Sequence, residues 1–123
     1  MLLYSLLMNS DLQSLTQALR DFAKERDWEQ FHSPKNLASA LTVEASELLE
    51  HFQWLTEDQS RNLPAEKKTK VAAEAADVFL YLVQLCDKLQ IDLVEVARTK
   101  LAMNAEKYPV ERALGSSKKY TEI

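Results

Sequence analysis

Two pairs of acids stand where helical periodicity asks for leucine. In the stretch VEASELLEHFQW, Glu44 projects between Leu37, Leu41, Leu48 and Leu55, and Glu47 lies at the edge of the same apolar stripe. In the next long helical segment Glu74 lies between Val71, Val78 and Leu85, with Asp77 beside it one turn on. Residues three apart share a helix face, so each segment turns a carboxylate pair toward one core. Four carboxylates converging there lose hydration worth several kcal/mol each and repel one another. Protonation or a hard divalent cation relieves this, and oxygen ligands without Cys or His select Mg²⁺ or Mn²⁺ over zinc. The plainer reading is a solvated face, because 19 acids in 123 residues make E-x-x-E spacing common. Glu50, three after Glu47, projects onto the polar side and illustrates it. The two pairs differ in that each has a member inside an apolar stripe.

A second set lies further on. Lys100, Asn104 and Tyr108 are spaced i, i+4, i+8 and project onto the side of Leu93, Ala97 and Leu101. A cation, an amide and a phenol facing inward suit a phosphate and a sugar or base edge. Alternatively, Lys100 snorkels to solvent and Tyr108 is a helix-end core residue. Lys88, on the Glu74/Asp77 side, is another candidate for a phosphate oxygen. Trp28 and Trp54 can stack on a base near a phosphate site, although a lone Trp is more often core.

The elements that must position these residues are helices. One Gly, Gly115, and three Pro punctuate the chain, so loops are few. The scarcity of glycine also excludes the phosphate-binding glycine loops. A first helix follows Asn9-Ser10-Asp11 and ends near Arg26, with DWEQFHSP as a connection. Ser33-Pro34 opens a second helix, running to about Leu55, with Pro in the first turn where its missing N–H costs nothing. TEDQSRNLP is a polar connection with room for a short helical turn. Pro64 opens a third helix ending near Gln90. Asp92-x-x-Glu95 reads as a capping box for a fourth, which stops at Pro109.

We expect one all-α, four-helix-bundle-like domain over residues 1–123, with 1–10 an N-terminal extension and 115–123 a flexible tail. The third helix is apolar nearly all round: Val71, Val78, Leu82, Leu85 and Leu89 cover one side, and Phe79, Leu80, Val83 and Cys86 most of the rest. So small a chain cannot enclose it, which predicts an oligomer. A net charge of −4, without a long basic run, argues against a nucleic-acid polymer as partner. The apolar start MLLYSLLM is too short to span a bilayer and lacks a signal-peptide pattern. The single Cys86 excludes an intrachain disulfide and fits a reducing compartment. A cytoplasmic protein is expected.

The segments RDWEQFHSPKNLASALTVEASELLEHFQW, EAADVFLYLVQLCDKLQIDL and KLAMNAEKYP resemble the MazG-like all-α nucleoside triphosphate pyrophosphohydrolases, in particular the dCTP pyrophosphatase branch. The likeness covers roughly residues 22–109. Its core is E-x-x-E, a spacer of 26 residues, then E-x-x-D, here Glu44, Glu47, Glu74 and Asp77. The resemblance implies a Mg²⁺-dependent hydrolase, with Mn²⁺ as a possible substitute, that cuts dCTP or a related pyrimidine nucleotide into monophosphate and pyrophosphate. It implies that Glu44, Glu47, Glu74 and Asp77 hold the metal; which of the four takes the proton from water stays open, with Glu47 and Glu44 the catalytic candidates and Glu47 preferred because its edge position leaves an oxygen free for water. It further implies that Trp28, His32 and Trp54 line the base pocket, and that Tyr81, Lys88, Lys100, Asn104 and Tyr108 contact sugar and phosphates. Family members form dimers or dimers of dimers, in agreement with the doubly apolar third helix. Three positions depart from the family pattern: Leu19 replaces a histidine near the base, Ser46 a Gly, and Lys88 an Arg, which exchanges a bidentate fork for a point charge.

Two rival classes are weaker. A carboxylate-bridged di-iron bundle needs two Glu-x-x-His pairs, and the chain offers one, Glu29-x-x-His32, in a connection. A non-enzymatic helical dimerisation or nucleotide-binding module tolerates the acids but leaves Lys100, Asn104 and Tyr108 unexplained.

Overall fold

The computed structural model describes residues 10–123, which form helices and turns with no strand among them. The expected extension therefore lies, except for Ser10, outside the described residues. Helix α1 spans Ser10–Glu25, α2 Pro34–Glu50, α3 Glu57–Arg61, α4 Ala65–Lys88, α5 Leu93–Lys107 and α6 Val110–Ala113. Short 3-10 turns lie at Glu29–Phe31 and Tyr120–Glu122.

Each main helix starts where its capping chemistry dictates. The Ser33 hydroxyl accepts from the Asn36 N–H at 3.1 Å, and Pro34 occupies the first turn of α2. Asp92 accepts from the Glu95 N–H at 3.2 Å to open α5. The full reciprocal capping box belongs instead to α3: Gln59 N–H donates to the Thr56 hydroxyl at 3.2 Å, and Thr56 N–H to the Gln59 side chain at 2.9 Å. The second helix stops at Glu50, earlier than expected, and residues 51–54 turn on their own. The α6 segment after Pro109 was not foreseen.

With almost no glycine, the chain closes two helices through left-handed Asp27 (φ 53°) and Gln90 (φ 54°). After α1, Trp28 N–H donates to Ala23 O at 2.9 Å and Asp27 N–H to Lys24 O at 3.1 Å. After α4, Ile91 N–H donates to Cys86 O at 2.8 Å and Gln90 N–H to Asp87 O at 3.1 Å. Both are Schellman closures made without Gly, and the first fixes where Trp28 emerges.

The principal packing is α2 along α4, with α1 laid across α4. Leu37 on α2 is fully buried, and Val83 and Cys86 on α4 and Leu12 and Ala23 on α1 are buried too. Leu19, Leu93 and Val94 pack against Leu12 and Val83. Beyond Val94 helix α5 leaves this body: every residue from Glu95 to Tyr108 is exposed, Leu101 at 71%. Within one chain the fourth helix therefore does not close a bundle as the periodicity predicts. The tail folds back far enough for the Tyr120 ring to meet Tyr108 edge-on at 6.0 Å. No described helix is long and apolar enough to cross a membrane.

Candidate active site

The packing of α2 on α4 brings three carboxylates together. Glu44 from α2 and Glu74 and Asp77 from α4 each offer an oxygen, all within 4.8 Å of one another. Glu44 and Glu74 are half-buried and Asp77 is exposed. One oxygen of each glutamate, Glu44 Oε2 and Glu74 Oε2, is shut off from solvent and has no hydrogen-bond partner. Buried polar atoms are nearly always satisfied, so two orphaned acceptors side by side mark a missing positive group. The donor set, oxygens with net negative charge, fits a hard divalent cation.

The electrostatics agree. The Glu44 carboxyl is pushed up from 4.5 to about 7. A side-chain hydrogen bond with Glu47 is the main cause, followed by burial and then by the charges of Glu47, Asp77 and Glu74. A carboxyl pair of this kind holds a proton between its members. Glu47 is thus tied to the cluster through Glu44, while the three mutually close ligand atoms come from the other acids. His51, in the turn after α2, places Nε2 3.9 Å from Glu74 Oε1. It lies seven residues after Glu44 and four after Glu47, so the same face-counting that found the acids would have found it.

Beside the acids opens a cleft of about 440 Å³, the size of a small-molecule site. Glu44, Asp77 and Tyr81 line it together with Leu15, Ala18, Leu19, Phe22, Trp28, His32, Leu80 and Gln84. Phe22 meets Trp28 edge-on at 5.7 Å, and Trp28 meets His32 at 6.4 Å. An acidic pole next to an aromatic wall suits a flat ring carried on a metal-bound anion. On the α1 side of this wall Leu19 is the position where the family resemblance puts a residue near the base, whereas Leu15, Ala18 and Phe22 are ordinary core types that carry no sequence signal.

The remaining candidates sit elsewhere. Lys88 is exposed and lines a separate pocket of about 30 Å³ with Arg20, Glu29, His32, Gln84 and Asp87. In that pocket Arg20 grips Asp87 with two hydrogen bonds, at 2.9 and 2.5 Å. Trp54 is 87% exposed and does not reach the cleft. Lys100, Asn104 and Tyr108 are exposed along α5, and none of them lines the cleft. The inward face that their spacing predicts is, within one chain, turned to solvent.

Known proteins are similar to this chain in sequence and in fold. Mouse dCTP pyrophosphatase 1 is 40% identical over 114 residues, covering 91% of this chain and 67% of its own length. Human dCTP pyrophosphatase 1 is 39% identical over the same span. A solved pyrophosphatase from Archaeoglobus fulgidus superposes with a TM-score of 0.77 at 38% identity, covering 82% of this chain and 94% of that one. The family model described as MazG-like matches residues 40–123, a span that holds all three clustered acids. The chain belongs to the MazG-like family.

Proposed function

We propose that the protein is a Mg²⁺-dependent nucleoside triphosphate pyrophosphohydrolase. Its substrate is dCTP or a closely related pyrimidine deoxynucleotide, cut between the α- and β-phosphates to give the monophosphate and pyrophosphate. One observation carries this reading: two orphaned carboxylate oxygens, on Glu44 and Glu74, in an acid cluster whose Glu44 and Asp77 line an aromatic cleft. The printed activities of the relatives, dCTP pyrophosphatase and pyrophosphatase, are of this class.

Glu44, Glu74 and Asp77 hold the ion, with Glu47 hydrogen-bonded behind Glu44. When bound, Mg²⁺, or Mn²⁺ in its place, offsets the charge of the phosphate oxygens and favours attack at phosphorus. Glu47 accepts the proton of the attacking water. Tyr81 lies one turn beyond Asp77 on the cleft wall, within reach of the sugar. Trp28 and His32 flank the base.

Among the described residues no Lys or Arg forms an ion pair with Glu44, Glu74 or Asp77, and only His51 comes near Glu74. Lys100, Asn104, Tyr108 and Trp54 reach a site when a second copy covers α5, which makes the active form a homodimer or a dimer of dimers. Exposed Val96, Leu101 and Met103 on α5 support that assembly. So does the apolar cleft of about 560 Å³ that Phe79, Leu93 and Leu101 share with α1. The free, buried Cys86 is in keeping with a cytoplasmic protein.

Incubation of the purified chain with each dNTP and Mg²⁺, followed by pyrophosphate detection, tests the proposal. Release from a pyrimidine dNTP supports it. No release from any dNTP, with Mg²⁺ or with Mn²⁺, refutes it.

A further inference from the structure

The cleft holds one polar side chain whose role the acids do not explain. Gln84 lines a wall that it shares with Leu19, Phe22, Trp28, His32, Leu80 and Tyr81. It lies seven residues after Asp77 on α4, hence on the same face and two turns along, about 10 Å at 1.5 Å per residue. A nucleotide anchored by its phosphates at Asp77 spans that interval with its sugar and places a base edge near Gln84.

The amide is oriented. Gln84 Nε2 donates to the Leu80 carbonyl oxygen at 3.1 Å. A carbonyl only accepts, so the nitrogen must face it; the bond fixes the amide's orientation and so holds the amide oxygen as the acceptor offered to a ligand, with the second N–H beside it. An acceptor held in a fixed place selects for an N–H opposite it. Cytosine presents a 4-amino donor at this edge, where uracil and thymine present a carbonyl oxygen. With those bases two acceptors face each other, and a buried polar group left unpaired carries the full penalty of its lost hydration. Sites built to pair with a given substrate group reject analogues lacking it far more strongly than apolar pockets do.

Resting on the pyrophosphohydrolase reading, we infer that Gln84 reads the exocyclic 4-amino group of the base and is a specificity-determining residue for cytosine nucleotides. It acts at the base edge and takes no part in the phosphate chemistry.

The test compares kcat/KM for dCTP, dUTP and dTTP, which share one ring, using the full chain with Mg²⁺. The wild type favours dCTP over dUTP at least about tenfold, the worth of one well-placed hydrogen bond. Gln84→Met keeps the side-chain length and removes the acceptor. It lowers kcat/KM for dCTP about tenfold while leaving dUTP unchanged or improved. Gln84→Ala gives the same collapse of the ratio, and unaltered melting temperatures show that both variants are folded. Equal losses on dCTP and dUTP would mean that Gln84 merely supports the wall, and the inference fails. A wild type that cleaves dUTP as readily as dCTP also overturns it. A wild type that cleaves no dNTP overturns the pyrophosphohydrolase reading itself, a distinct result.

Discussion

Glu44→Gln should invert the order of stability between metal-free and metal-loaded protein. The change keeps the side-chain shape, removes one negative charge and supplies an N–H₂ donor among three remaining acids. In metal-free protein it relieves the orphaned Oε2 of Glu44. An unsatisfied buried acceptor costs about 1–3 kcal/mol, roughly 4–12 °C in Tm. The sign depends on pH. Glu44 titrates at about 7 in the fold against an ordinary 4.5, so the folded state binds more protons between those values. Wild-type stability therefore falls as pH rises from 4.5 towards 7, and the cost is complete above 7. The variant lacks this slope, so its advantage is small at pH 5 and full at pH 8. Magnesium reverses the ranking: at a hundred times its Kd a ligand adds about 2.7 kcal/mol to the wild type, and the variant loses most of that gain. Calorimetric melts of EDTA-treated protein at both pH values, with and without Mg²⁺, read all four combinations. If the two proteins melt in parallel throughout, Glu44 neither carries a buried charge nor binds the ion, and the reasoning is refuted.

Three further outcomes can be checked with single substitutions. Leu37→Ala empties the one large side chain that is fully buried among the described residues, and should cost about 3 kcal/mol, read as a lower urea midpoint with an unchanged slope. Asp87→Asn breaks the two-bond grip of Arg20 at side chains 34% and 14% exposed, and should cost about 1–2 kcal/mol with no change in base preference; an unmoved melting curve would show the pair to be incidental. Trp28→Ala removes the exposed ring of the aromatic wall, and should raise KM for the nucleotide about tenfold or more while kcat stays within a few-fold; unaltered KM for every base would take Trp28 out of the site.

The acids were legible because burial is expensive for charge: one carboxylate in a leucine stripe is an anomaly, and two such anomalies point at each other. The helices were legible because Ser33-Pro34, Pro64, Asp92 and Pro109 punctuate them by local backbone chemistry. What the sequence hid is set by geometry between helices. The cleft wall draws on Leu15, Ala18 and Phe22, which no local rule separates from core residues. Helix α5 shows the opposite failure. Its stripe of Leu93, Ala97 and Leu101 is real, but periodicity says only that a face is apolar, not which chain covers it. Leu93 packs on Leu12 and Val83 while Leu101 stands in solvent. Asp27 is of a type that tolerates a left-handed backbone, but nothing in the side chain of Gln90 announces one; there the tertiary path imposes it.

The crowded acids of α2 and α4 also bear on how the protein would change if its chemistry were no longer needed. Heat-resistance selection in the laboratory, run without any demand for turnover, should strike Glu44 early, since neutral replacements there ease the native state at once. The same drift would erode a duplicated gene freed from its substrate. Retention of all three clustered acids across a diverging lineage would therefore report continued catalysis rather than architectural need.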